Sequence, residues 1–222
     1  MPEMTVEDRF FRQEILSGVG KEGQAKWAQA RVLLAGDGPA LKSAVLGLAS
    51  SGIHQIILLS KAPFDGSSLT EQFPQLRLEL LREAPGTLPS VSLGMVLSED
   101  PAFRRAMSRS FRRQAQSALF GWPAASGFAL MAVEHQDGQC PCLECFEVMN
   151  PKAFTQGTPA IQEMTGALAA TEALLWILKG GTPLTGKVWI NALGAGVSVQ
   201  HAVHPTYKCA ARMAEEGAVV TP

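Results

Sequence analysis

Two stretches combine residue types and spacings that suit a chemical task. The first runs from Val32 to Lys42, "VLLAGDGPALK", an apolar segment that breaks at Gly-x-Gly and leads into a helical pattern. Glycines at a strand-to-helix turn let phosphate oxygens approach the backbone N–H groups of a helix N-terminus. Gly36 and Gly38 are therefore the candidate cofactor-binding positions. Leu41 stands where a third glycine would sit, and Pro39 removes one N–H donor. The second stretch is "GQCPCLEC", in which Cys142 and Cys145 are separated by two residues. That spacing lets one turn of chain present two sulfurs to one metal ion.

The elements that must position these residues follow from hydrophobic periodicity. Residues 1–30 hold a charged, amphipathic helical arm, interrupted at Gly18 and Gly20, that should pack on the outside of the molecule. Arg31 to Ala35 reads as a buried strand, Ala40 to Ser50 as a helix and residues 55–60 as a second strand, which together form a β-α-β unit. Leu76 to Glu83 reads as a helix and residues 90–97 as a third strand. A helix from Pro101 to Gln116 carries Arg104, Arg105, Arg109, Arg112 and Arg113. Such a run reads either as a solvated face or internal ion-pair partner, or as a surface for an acidic partner or anion. Ala118 to Glu134 is strand-like, Ile161 to Lys179 is a long helix stopped by Gly180-Gly181, and "KVWINAL" and "VSVQHAV" close the pattern as strands. The expected fold is α/β and Rossmann-like: a mostly parallel sheet with helices on both faces and an antiparallel C-terminal portion. One domain spans 1–222, with the arm at 1–30, a nucleotide-binding-type half at 31–117 and a CxxC-bearing, β-rich half at 118–222.

Composition removes several function classes. With 19 Lys+Arg against 20 Asp+Glu, the net charge of −1 provides no field to attract nucleic acid or an anionic membrane. The start "MPEMTVEDRFFRQ" is acidic where a signal peptide would be basic and then apolar, which places the protein in the cytoplasm. The most apolar helical stretch, Met164 to Leu178, is too short to span a bilayer and contains Glu172. Four cysteines in such a chain point to metal or free thiols rather than disulfides. His54 and His135 are expected at the surface or in turns, and Trp122, Trp176 and Trp189 in the core.

Five ordered segments resemble the ThiF/MoeB/HesA family, the bacterial relatives of ubiquitin-activating enzymes. They are "RFFRQEILSGVGKEGQ" from Arg9 to Gln24; "GDGPALK" with "LLSKAPFD" and "SSLTEQ"; "PCLECF" from Pro141; the helix "MTGALAATEALLWILKGG"; and "GKVWINAL" followed by "HPTYKC". The resemblance implies an enzyme that binds ATP and Mg²⁺ and adenylates the C-terminal glycine of a small ubiquitin-like or sulfur-carrier protein. It also implies a homodimer, with Arg12 reaching an anion across the interface, and it makes Cys209 the start of a second cysteine pair whose fourth member is replaced by Arg212. A tetrahedral structural zinc would then need Cys142, Cys145, Cys209 and one further ligand from Cys140, His204 or His201, with His204 preferred. A vestigial cluster of buried thiols is the competing reading.

The ATP-specific side chains depart from the family. Ser60 and Ala62 stand where acids would hold the ribose, and Glu71 replaces an arginine that would face the phosphates. "PQLRLELLREAPG" lacks the expected lysine, no acid is found for magnesium, and Ala153 occupies the place of the family's thiol. The sequence thus reads as a degenerate member: a non-catalytic binding or scaffold protein that does not use ATP or Mg²⁺. The alternative is an active adenylyltransferase with a rebuilt site, using Lys42, Lys61 or the arginine helix.

Overall fold

A computed structural model of the chain describes residues 6–124, 127–135, 142–149, 157–193, 196–203 and 209. Eight strands form one sheet in the order β3-β2-β1-β4-β5-β6-β7-β8. Strands β1 (Arg31–Gly36), β2 (Gln55–Leu59), β3 (Arg77–Leu81), β4 (Leu93–Leu97) and β5 (Ala118–Ala124) run parallel. Strands β6 (Gly127–Val133), β7 (Lys187–Ala192) and β8 (Val197–Ala202) continue the sheet antiparallel. The expected Rossmann-like architecture is thus observed, including its antiparallel C-terminal portion.

Both faces of the sheet are covered. Alternate residues, such as Val32 and Leu34 on β1, pack against α3 (Gly38–Ser51) and α7 (Pro159–Lys179). Their neighbours Leu33 and Ala35 belong to the opposite layer with Met107 and Phe111 of α5 (Pro101–Arg113) and with α6 (Leu143–Met149). The period-two alternation of a strand is what sorts one apolar run into two layers. Helices α3 and α7 approach closely because both present small residues: a Cβ on Gly166 would lie 2.0 Å from the Ala40 carbonyl oxygen. Thr158 caps α7 by accepting from the Ile161 N–H, Pro159 occupies the first turn, and Gly180 ends the helix with φ +75°.

The arm forms α1 (Val6–Glu14) and α2 (Gly20–Gln29), parted at the two expected glycines, and a short α4 (Ser67–Gln72) lies between β2 and β3. Trp27 of α2 is buried and its Nε1 donates to the Leu174 carbonyl of α7 at 2.9 Å. Phe10 is buried as well, whereas Phe11, Ile15 and Leu16 are more than half exposed.

Two expectations are corrected. Residues 76–83 do not form a helix, because Arg77–Leu81 is β3, the edge strand paired in parallel with β2. Its Leu, Arg and Glu residues favour helix locally, but β2 needs a partner for its backbone, and Leu78 and Leu81 pack into the two opposite layers as strand neighbours do. His135 is not at the surface: it is only 3% exposed, just beyond β6. It extends the alternating row of Ala129, Met131 and Val133, which all belong to the α5/α6 layer. Trp122 and Trp176 are buried as expected, while Trp189 is partly buried and packs edge-on against Phe128. Among the described residues, no helix is long and apolar enough to cross a membrane.

Candidate functional site

Helix α3 leaves β1 toward one face of the sheet and α5 leaves β4 toward the other. A crevice must open between neighbouring strands whose connections diverge in this way, and open α/β sheets bind ligands there. A cavity of about 310 Å³ lies at that place, lined by residues that include Asp37, Gly38, Ser98, Glu99, Asp100 and Gln162. The two glycines of the turn do different work. A Cβ on Gly36 would lie 1.8 Å from the Leu97 carbonyl oxygen, so this glycine serves the contact of β1 with β4. Gly38 has φ +78°, and the nearest atom to its absent Cβ is Gln162 Oε1 at 3.5 Å. Leu41 is 1% exposed and belongs to the core between the sheet and its helices.

The cavity is acidic, and its carboxylates are bound to neutral donors from this chain. Asp37 Oδ1 accepts from the Ser60 hydroxyl at 2.6 Å and from the Ala62 N–H at 2.9 Å. Ser60 is thus the partner of a carboxylate from the glycine turn. Glu99 Oε1 accepts from Gln162 Nε2 at 2.6 Å and from the Gly157 N–H at 3.3 Å. Asp100 caps α5 by accepting from the Ala102 N–H at 2.8 Å. Among the described residues, neither lysine nor arginine lines this cavity.

The cations proposed as substitutes lie elsewhere. Lys42 lines a separate cavity of about 440 Å³ together with Asp65 and Glu163. There the Ser67 hydroxyl, followed by the Ser67 N–H and more weakly by Lys42, holds the Asp65 carboxyl below its ordinary range. Arg12, Lys61 and Glu71 are exposed and outside the lining of the acidic cavity. The sequence reading finds no acid for magnesium, yet Glu99 and Asp100 stand at the end of β4 and face the crevice. The signal available was Asp100-Pro101, a cap followed by a first-turn proline, which places a helix start and its acids directly at the strand end.

The cysteine stretch converges as its spacing predicts. Cys142 immediately precedes α6, and its Sγ lies 3.6 Å from Cys145 Sγ and 3.4 Å from Cys209 Sγ. All three sulfurs are buried and lie within 4.8 Å of one another, which fits a single metal ion. His204 and Cys140 lie outside the described residues, and His201 is exposed on β8.

The arginine helix faces inward toward this cluster. Arg105 pairs with Glu147 at 2.9 Å, and Arg109 grips Glu144 through Nε at 2.7 Å and Nη2 at 3.0 Å. Arg104 is fully buried; it donates to the Ser98 carbonyl at 2.6 Å and lies over the Trp122 ring, 5.4 Å from its centroid. Burial lowers its pKa to about 10, which leaves it charged at neutral pH. Burial likewise pushes the Glu147 carboxyl up, opposed by Arg105 and then Arg104. For Arg104, Arg105 and Arg109 the internal ion-pair reading therefore holds.

No described protein family and no curated protein matches the sequence. Solved structures do match the fold. E. coli MccB aligns with a TM-score of 0.74 at 14% identity, covering 93% of this chain and 72% of that one. E. coli MccB solved with ATP aligns with a TM-score of 0.73 at 16% identity, covering 95% and 76%. The microcin C7 biosynthetic enzyme MccB in complex with N-formylated MccA aligns with a TM-score of 0.68 at 15% identity, covering 85% and 69%. At these identities the likeness establishes the fold.

Proposed function

We propose that the chain is a ThiF/MoeB-like binding or scaffold protein, related by descent to ATP-dependent adenylyltransferases, whose own nucleotide site has been converted to structural use. The observation that carries this reading is the Asp37 carboxylate bound to Ser60 and Ala62 at the crevice. A polyphosphate placed there would meet Asp37, Glu99 and Asp100, with no lysine or arginine among the described lining residues. Each pair of like charges at about 5 Å costs about 3 kcal/mol at an effective dielectric of ~20. On this reading 1–222 works as one ThiF-like domain in the cytoplasm, and Gly36 and Gly38 keep the shape of a nucleotide turn without its ligand. Its partner is a small ubiquitin-like or sulfur-carrier protein, or a peptide tail. A second copy of the chain completes a homodimer, across which Arg12 meets an anion. Cys142, Cys145 and Cys209 hold a structural zinc, completed by His204.

A second reading is an active adenylyltransferase. Glu99 and Asp100 suit a divalent cation, which a nucleotide needs, and MccB, similar in fold, has been solved with ATP. Two measurements separate the readings: ATP–pyrophosphate exchange in Mg²⁺, and fluorescence anisotropy with a labelled peptide ending in Gly-Gly. Peptide binding without exchange supports the scaffold. Exchange above background supports the enzyme, and a chain that does neither is not of this functional class.

A further inference from the structure

The arginines of α5 continue past the ion pairs already described and end at the cysteines. Helices α5 and α6 run antiparallel, so their contacts form a ladder in which Arg105 meets Glu147 and Arg109 meets Glu144. The next rung, three residues further along α5, is Arg112, whose Nη1 lies 3.9 Å from Cys209 Sγ. Glu144 sits between Cys142 and Cys145 and is only 4% exposed, so the turn that presents both sulfurs is held by a two-bond grip. Phe111, Phe120, Phe146 and Val203 share the same buried layer.

Charge balance gives this arrangement a purpose. A divalent ion held by the three thiolates of Cys142, Cys145 and Cys209 carries one negative charge in excess, and an excess charge buried away from water is costly without a counter-ion. We infer that the arginine helix is the charged backing of the cysteine site: Arg112 offsets the metal–thiolate charge, and Arg109 orients the Cys142–Cys145 turn through Glu144. This rests on the metal reading given above. It assigns the arginine run to a function that sequence leaves open, and it makes Arg112 a positioning residue rather than a ligand. Outer partners of this kind typically change metal affinity by about 10- to 100-fold when removed.

The test uses the full chain and zinc itself, with affinity read by competition against a chelating dye and the ligand set read from cobalt(II) absorption bands. Arg112→Met is expected to weaken zinc about 10- to 100-fold while leaving the cobalt bands in place, since no ligand is lost. Arg112→Lys keeps the charge and is expected to recover most of the affinity. Arg105→Met, at the far end of the ladder, is expected to stay within about threefold of the wild type although it also breaks an ion pair. Should Arg112→Met fail to fold, Arg112→Gln is read in its place under the same criteria. Wild-type affinity in the Arg112 variant, no recovery by lysine, or an equal loss in Arg105→Met overturns the inference while leaving the metal site standing. A wild-type chain that binds no zinc overturns both.

Discussion

The glycine turn feeding α3 and the cysteine cluster in the α5/α6 layer have fared differently. At the turn Gly38, with φ +78°, opens a helix at the strand ends, while the side chains face one another. Asp37 is bonded to Ser60, Glu99 to Gln162, and Leu41 fills the core. In the cysteine layer the reverse holds: three sulfurs point at one place and the charged residues around them form an ordered ladder. Glycines such as Gly36 are required by the sheet itself, so their presence at the turn is no sign of a ligand. A convergent donor set has no such second use, and its persistence is the stronger sign of function.

The largest effect expected from breaking this comparison is at Gly36. Gly36→Ala forces a Cβ to within 1.8 Å of the Leu97 carbonyl oxygen and must separate β1 from β4. A loss of more than about 3 kcal/mol, or failure to fold, is expected. Gly38→Ala, whose Cβ would meet Gln162 Oε1 at an ordinary contact distance of 3.5 Å, should cost only about 1–2 kcal/mol for its positive φ. Urea denaturation of the two variants checks the ranking; equal losses would mean that Gly36 is not the sheet's glycine.

Removing metal comes next. A chelator should lower the melting temperature of the wild type by about 5–10 °C, equivalent to ~2–3 kcal/mol in a chain of this size, and should leave Cys142→Ser unchanged. Loss of the Asp37 bridge should be smaller. Asp37→Ala leaves the Ser60 hydroxyl and the Ala62 N–H without their acceptor and is expected to cost about 1–3 kcal/mol, with Asp37→Asn costing less. A stabilised Asp37→Ala would indicate that the carboxylate is strained and kept for a ligand.

The smallest expected effect is a pH dependence. Burial, and after it the charge of Arg77, holds the His54 pKa below the usual histidine value. The unfolded chain then binds more protons than the folded one between those two values, so stability should fall as pH drops through them and should be flat above. His54→Gln should flatten the change in urea midpoint between about pH 7.5 and pH 5.5.

The fold was readable in the sequence wherever one physical signal dominated. Continuous apolar runs marked β1, β2 and β4, and Gly180-Gly181 marked the end of α7. Strand β3 was not readable, because "RLELL" has helical propensity and becomes a strand only when the edge of β2 is offered to it. The cysteine site could be anticipated from C-x-x-C spacing together with the family resemblance. The acidic crevice could not be, since Asp37, Glu99 and Gln162 meet only after the chain has crossed the sheet. The arginine run stayed ambiguous for the same reason: its partners Glu144 and Glu147 lie on a helix more than thirty residues away.

The central claim, that the turn has kept the shape of a nucleotide site and lost its chemistry, is tested most directly by calorimetric titration of the wild-type chain with Mg·ATP. No binding tighter than about millimolar is expected, because the described lining of the crevice offers three carboxylates and no cation. A dissociation constant in the micromolar range would contradict the claim and favour Glu99 and Asp100 as magnesium ligands.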